Sequence, residues 1–212
     1  MRLAFLAIGV VCLVYAGWHF AMTRSSAIRL EPAGYELTYS MAWGWGMEER
    51  LTLKRFGALW PSQSSEWTEI WKRPYHSGMV VYVGDDGSTY YFGTGYGLHF
   101  FQPKSGAYWS TCDKGSIPSR TALGERLSFF GSNAAEEDLD PDAPRLFEYI
   151  QANESSGAIP ASPPASRYYA GLKYLGRFGL AATNGRGRGD EVRFVPAGTS
   201  LEPRLGLQFN CG

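Results

Sequence analysis

The distribution of charge and apolar residues divides the chain in two. From Leu3 to Met22 there is no Asp, Glu, Lys or Arg, and arginines stand at both edges, Arg2 and Arg24. A helix rises about 1.5 Å per residue, so this run would extend roughly 30 Å, the thickness of a bilayer's hydrocarbon core, with Trp18 suited to the headgroup layer. The pattern predicts a transmembrane signal anchor over residues 1–24, with the lipid bilayer contacted through residues 3–22. A cleaved secretory signal shares the charged start and apolar centre, and would instead release a secreted domain. Cleavage after Gly17 or Ala21 would place Tyr15 or His19 three residues before the cut, where a small side chain is wanted. Val11 before Cys12 likewise disfavours lipoprotein processing, so the sequence favours retention of the segment.

Beyond residue 24 the period changes to two. Tyr35, Leu37, Tyr39 and Met41 alternate with Glu36, Thr38 and Ser40, the signature of a half-buried strand. A second strand is expected over Arg50–Phe56, with Trp43-Gly44-Trp45-Gly46 as the turn between them. The run Met79–Val83, the turn residues Gly84-Asp85-Asp86-Gly87 and the return Ser88–Phe92 predict a hairpin. Leu98–Gln102, the turn Pro103-Lys104-Ser105-Gly106 and Ala107–Thr111 extend it into a four-stranded antiparallel meander. Asp142 as an N-cap and Pro144 as an early helical residue predict a short helix near 143–153, with Leu146, Phe147 and Ile150 on one face. The proline-rich stretch Ser155–Ser166 reads as a loop. Tyr168–Ala182 and Glu191–Pro196 read as a hairpin around Asn184-Gly185-Arg186-Gly187-Arg188-Gly189, and Leu205–Asn210 as a last strand. The expected fold is mostly β (α+β): a transmembrane helix within residues 1–24, then one antiparallel β-rich domain over 25–212 with a short helix.

Composition narrows the partners. Of 212 residues, 15% are aromatic and 26 are glycine, a mixture suited to short strands with tight turns and cross-strand aromatic pairs. The formal net charge is zero and no long basic run occurs, which argues against nucleic acid as a partner. Arg24 and Arg29 after the segment, against Arg2 before it, favour a cytoplasmic domain by the positive-inside rule. The cysteines point the other way. Cys112 and Cys211 suit a disulfide in an oxidising compartment, and closing a loop of about a hundred residues would contribute roughly 4–5 kcal/mol in the chain-entropy model. An extracytoplasmic domain is the favoured reading, with two unrelated buried thiols as the alternative.

Four groups of residues invite chemical readings. Asp138, Asp140 and Asp142 have the spacing of the first three ligands of a calcium loop, but Ala143 replaces the turn glycine and Tyr149 the closing glutamate. The acidic run therefore reads as a solvated loop feeding a helix. Gly93, Gly95 and Gly97 lead into a strand and not a helix, unlike a phosphate cradle. Trp43 and Trp45, with Arg186 and Arg188, are candidates for surface contact with a ligand, a lipid headgroup or a protein partner in the membrane or envelope. Cys112 offers a nucleophile, His76 or His99 a base, and Arg120 an oxyanion partner. The segment Tyr108-Trp109-Ser110-Thr111-Cys112 resembles sortase-like cysteine transpeptidases in its Thr-Cys pair and in the layout of a membrane-tethered β domain, and lacks the rest of their Thr-Leu-x-Thr-Cys strand. That resemblance implies a cysteine-dependent transpeptidase or hydrolase. No cofactor motif is present, and the balance of residues favours a membrane-anchored binding or envelope-associated accessory module over an enzyme.

The cysteine reading has a direct check. Peptide mapping without reductant is expected to give one linked pair joining Cys112 to Cys211. Two free thiols would remove the bridge and revive a reactive Cys112.

Overall fold

The computed structural model describes residues 2–43, 46–70, 77–111, 144, 146, 148–181 and 191–203, with the side chains of residues 2–4, 6 and 7 left out. Among the described residues are one helix, α1 (Arg2–Ala21), and eleven strands: β1 (Thr23–Leu30), β2 (Tyr35–Trp43), β3 (Met47–Arg55), β4 (Gln63–Ser64), β5 (Thr68–Ile70), β6 (Met79–Gly84), β7 (Tyr90–Thr94), β8 (Leu98–Gln102), β9 (Ala107–Ser110), β10 (Leu172–Ala181) and β11 (Glu191–Pro196). The fold is mostly β and antiparallel, as the alternation of side chains predicts. Among the described residues no helix is long and apolar enough to cross a membrane.

Two sheets form. In the first, β1, β2 and β3 lie side by side, and both β4 and β5 pair with the far edge of β3. Its inner face is set by the period of two: Tyr35, Leu37, Tyr39 and Met41 of β2 are buried while Glu36, Thr38 and Ser40 are half-exposed. The register carries the same phase into β3, pairing Leu37 with Leu53, Tyr39 with Leu51 and Met41 with Glu49. The sequence pattern leaves β1 unmarked, because only its last turn of alternation, Ile28 and Leu30, is buried.

The second sheet runs β11-β10-β6-β7-β8-β9. It contains the expected meander, β6 to β9, and the expected hairpin of β10 with β11. Every residue of β6 is buried, because both faces of this sheet are covered. Met79, Val81, Phe92, Phe101, Phe178, Leu180 and Phe194 join the inner face of the first sheet in one core. Val80, Tyr82, Tyr91, Phe100 and Tyr174 point the opposite way, under Leu146, Tyr169 and Ala197.

The helix expected near 143–153 is not formed by the described residues of that stretch. Its backbone groups are engaged elsewhere: Ile150 N donates to Leu180 O at 2.8 Å, Glu148 O accepts Nη1 of Arg177 at 3.4 Å, and Gln151 N donates to Glu154 Oε2 at 2.8 Å. Ile150 instead makes a parallel bridge with Ala181. Tertiary hydrogen bonding overrides the capping signal, and the irregular segment lines the outer face of β10. The strand expected over 205–210 and the loop over 184–189 lie outside the described residues.

Gly176 is fixed by this geometry. The ladder between β10 and β6 shifts register between Tyr174 and Gly176, and the glycine adopts φ of 145° where a Cβ would stand 2.4 Å from Val195 O and 2.5 Å from the Phe194 ring. Any side chain there meets backbone that has nowhere to move. Gly176→Ala is expected to cost about 3 kcal/mol or more from combined strain and overpacking, seen as a lower urea midpoint at unchanged slope.

Candidate functional site

Three buried polar clusters stand out against the aromatic core. The first follows from a break in the β3 pattern. Met47, Leu51 and Leu53 point inward, and the same phase sends Glu49 inward between them, leaving it 3% exposed. Its Oε2 accepts the Tyr39 hydroxyl at 2.6 Å, and the Tyr39 oxygen in turn accepts the Gly78 amide at 2.9 Å. Gly78 can come this close because it lacks a side chain: at φ of 126° a Cβ would lie 2.7 Å from Leu146 O. The chain Gly78–Tyr39–Glu49 thus ties the start of β6 to β2 and β3, one sheet to the other.

Glu49 Oε1 has no hydrogen-bond partner among the described residues. Thr94 stands nearest in kind, but its single hydroxyl proton is drawn to Gly97 O at 3.3 Å, while its oxygen accepts the amides of Tyr96 and Gly97. Glu49 borders a cleft with Tyr39, Arg50, Ser65, Thr68, Thr94 and His99, about 10 Å³ in volume, room for roughly one water molecule. Burial raises the Glu49 pKa from 4.5 to about 7, opposed chiefly by the hydrogen bond from Tyr39. Desolvation likewise pushes the Tyr39 hydroxyl up, with the adjacent Glu49 charge adding to it. His99 is half-buried on β8, its Nδ1 sharing a 2.7 Å hydrogen bond with the Tyr108 hydroxyl and its ring stacked on that tyrosine at 5.8 Å.

The second cluster holds the irregular segment to β10. Arg177, 1% exposed, donates from Nη2 to both oxygens of Glu154 at 3.1 and 3.0 Å. The third centres on Glu202, 3% exposed, which accepts the Tyr82 hydroxyl at 2.8 Å and both the Ser166 hydroxyl and the Arg167 amide at 2.6 Å. Burial, reinforced by the Glu202 charge, raises the Tyr82 pKa well above its ordinary value. Both carboxylates serve as clips: each of their oxygens accepts at least one hydrogen bond.

The residues singled out from the sequence fare unevenly. Trp43 closes β2, half-buried against the core, its amide donating to Met22 O at 3.3 Å. It therefore packs beside the end of α1. Trp45, Arg186, Arg188, Cys112, Cys211, Asp138, Asp140 and Asp142 lie outside the described residues, as do His76 and Arg120. Among the described residues no group of His, Cys, Asp and Glu could hold a metal ion. Glu49 escaped the sequence reading because the second strand was started at Arg50. Continuing the inward phase of Leu53 and Leu51 back by two residues finds it.

No family model, no curated protein and no solved structure matches the chain.

A folded-state pKa above the unfolded one means that the native protein holds the extra proton. The contribution of a neutral Glu49 to stability is then complete below about pH 4.5 and is lost as pH rises to about 7, a change of about 3 kcal/mol. Glu49→Gln keeps an acceptor for Tyr39 and cannot ionise. Its stability, read by urea denaturation, is expected to vary less over that window and to exceed the native protein's at about pH 8.

Proposed function

We propose that the protein is a membrane-tethered binding or accessory module, with α1 as its anchor and the β-rich domain held outside the cytoplasm against a protein partner in the membrane or envelope. The supporting observation is the surface of α1. Phe5, Ile8, Val10, Val11, Leu13, Val14 and Phe20 are all more than half exposed, Leu13 to 75% and Phe20 to 84%. Covering a side chain of this size is worth about 1.5–3 kcal/mol, so these seven together leave about 10–20 kcal/mol unrealised in water. That matches or exceeds the whole stability of an ordinary domain. Among the described residues no helix is long and apolar enough to cross a membrane, so what supports the anchor is this exposed apolar surface, which a lipid layer would cover, and not the length of α1.

The end of α1 fits the same reading. Trp18 is exposed one turn before the helix ends, and His19 packs edge-on against Trp67 at 5.0 Å, an aromatic grouping suited to the headgroup layer. The cysteine-transpeptidase reading finds less support. Its base candidate His99 has its Nδ1 engaged by the Tyr108 hydroxyl, and the nucleophile candidate Cys112 lies outside the described residues.

Fractionation tests the proposal. The full chain is expected to stay with membranes through a carbonate wash, and deletion of residues 2–22 to release the β domain. A soluble full-length product, or a mature N-terminus near Met22, would overturn it.

A further inference from the structure

The cleft beside Glu49 holds a contradiction that does not depend on the membrane reading. A neutral carboxyl needs one donor and one acceptor partner, which Tyr39 and at most one water supply. A carboxylate needs several donors around both oxygens, and for Oε1 of this 3% exposed glutamate the described residues supply none. Ionisation in place is therefore opposed: the proton stays or the cleft widens to admit water.

Its cover is the weakest element around it. Glu49 pairs in the ladder with Thr68 of β5, a strand of three residues whose ladder to β3 covers only Met47 to Glu49. Ahead of β5, Ser65 is clipped to Leu51 through backbone and side-chain hydrogen bonds of 3.0 and 3.1 Å, so motion is confined to the residues after it. Among the described residues the groups facing Glu49 offer no compensating charge held in place. From β2 comes the Tyr39 hydroxyl, from β6's approach the Gly78 amide, from β7 the Thr94 hydroxyl, from β8 His99 with Tyr108 of β9 behind it, and from the cover the hydroxyls of Ser65 and Thr68. The cation, Arg50, is turned to the cover itself: its Nε donates to Ser65 O at 3.1 Å and its guanidinium lies over the Trp67 ring at 5.7 Å. Trp67 also holds His19 at the end of α1.

We propose that Glu49 and its cover form a proton-operated latch: loss of the Glu49 proton to solvent opens residues 66–69 from β3, and with them releases the Trp67 contact to the end of α1. The closed form binds the proton, and the open form exposes the carboxylate to water. Raising the pH through the window in which an exposed glutamate would ionise but this one resists shifts the balance toward the open form.

Amide hydrogen exchange on the full chain in detergent tests this, corrected for the intrinsic effect of pH and referred to the amides of β10. Between about pH 5 and about pH 8 the opening of residues 67–69 is expected to rise on the order of a hundredfold while β10 changes far less. In Glu49→Gln the rise should vanish. A rise that persists in Glu49→Gln, that vanishes instead in His99→Gln, or that β10 follows in parallel overturns the latch. Should Glu49→Gln fail to fold, infrared spectroscopy of the native protein decides: a protonated-carboxyl band persisting at about pH 6 supports the latch, and its complete loss by about pH 5 overturns it.

Discussion

Among the described residues the second sheet has two apolar faces and one sheet to cover them. The first sheet takes the face bearing Met79, Val81, Phe92 and Phe178. The opposite face, with Val80, Tyr82, Phe100 and Tyr174, must be closed by chain without regular ladders. Irregular backbone laid over a core brings polar groups that water would otherwise satisfy, and each left unpaired would cost about 1–3 kcal/mol. The buried charges answer this need. Arg177 reaches the Glu148 carbonyl and both oxygens of Glu154, while Glu202 gathers Tyr82, Ser166 and the Arg167 amide. Such pairs add little net stability over apolar packing. Their effect is to admit one path of the segment over the sheet.

Glu49 belongs to a different class. Arg177 is paired with Glu154, and Glu202 accepts hydrogen bonds on both oxygens. Among the described residues Glu49 is answered on one oxygen only. A methionine or leucine at that position would continue the alternation of β3 and pack against Met41, its partner in the register. An acid there gives the Tyr39 hydroxyl an acceptor and so extends the inter-sheet chain from Gly78 to β3.

Legibility in the sequence follows the strength of local periodicity. The strands β2, β3 and β6 to β11 announce themselves because one or both faces are buried along most of their length, so that alternation or continuous apolar runs survive in the residue pattern. β1 does not, since its first half pairs at the sheet edge with Arg24 and Ser25 exposed, and a strand with no buried face leaves no period. The helix expected near 143–153 failed for the opposite reason: Asp142, Pro144 and the spacing of Leu146 and Ile150 are valid local signals, but Leu180 and Arg177, distant in sequence, take the backbone groups that a helix would use. The candidate site was hidden for a third reason. Glutamate between Glu48 and Arg50 looks like part of a charged, solvated run, and only the phase of Leu51 and Leu53 distinguishes the one that turns inward.

The junction between α1 and the β domain contains no linker, and this constrains how anything done at one end is felt at the other. Met22 closes the helix through its amide to Trp18 O at 2.9 Å and accepts the Trp43 amide at 3.3 Å. Thr23 and Arg24 return hydrogen bonds to the carbonyls of His19 and Ala21, at 2.7 and 2.8 Å, satisfying acceptors that a helix end leaves open. Helix thus passes into strand within two residues. Because β1 pairs with β2 along its whole length, the direction of α1 is locked to the first sheet and cannot swivel as it would on a glycine-rich tether. The side contacts of His19 with Glu48 at 3.4 Å and with Trp67 then act on the tilt of the helix and not on its attachment. Residues 48 and 49 are neighbours on β3, one facing His19 and the other facing the core. The strand that holds the buried acid is therefore also the strand against which the helix leans.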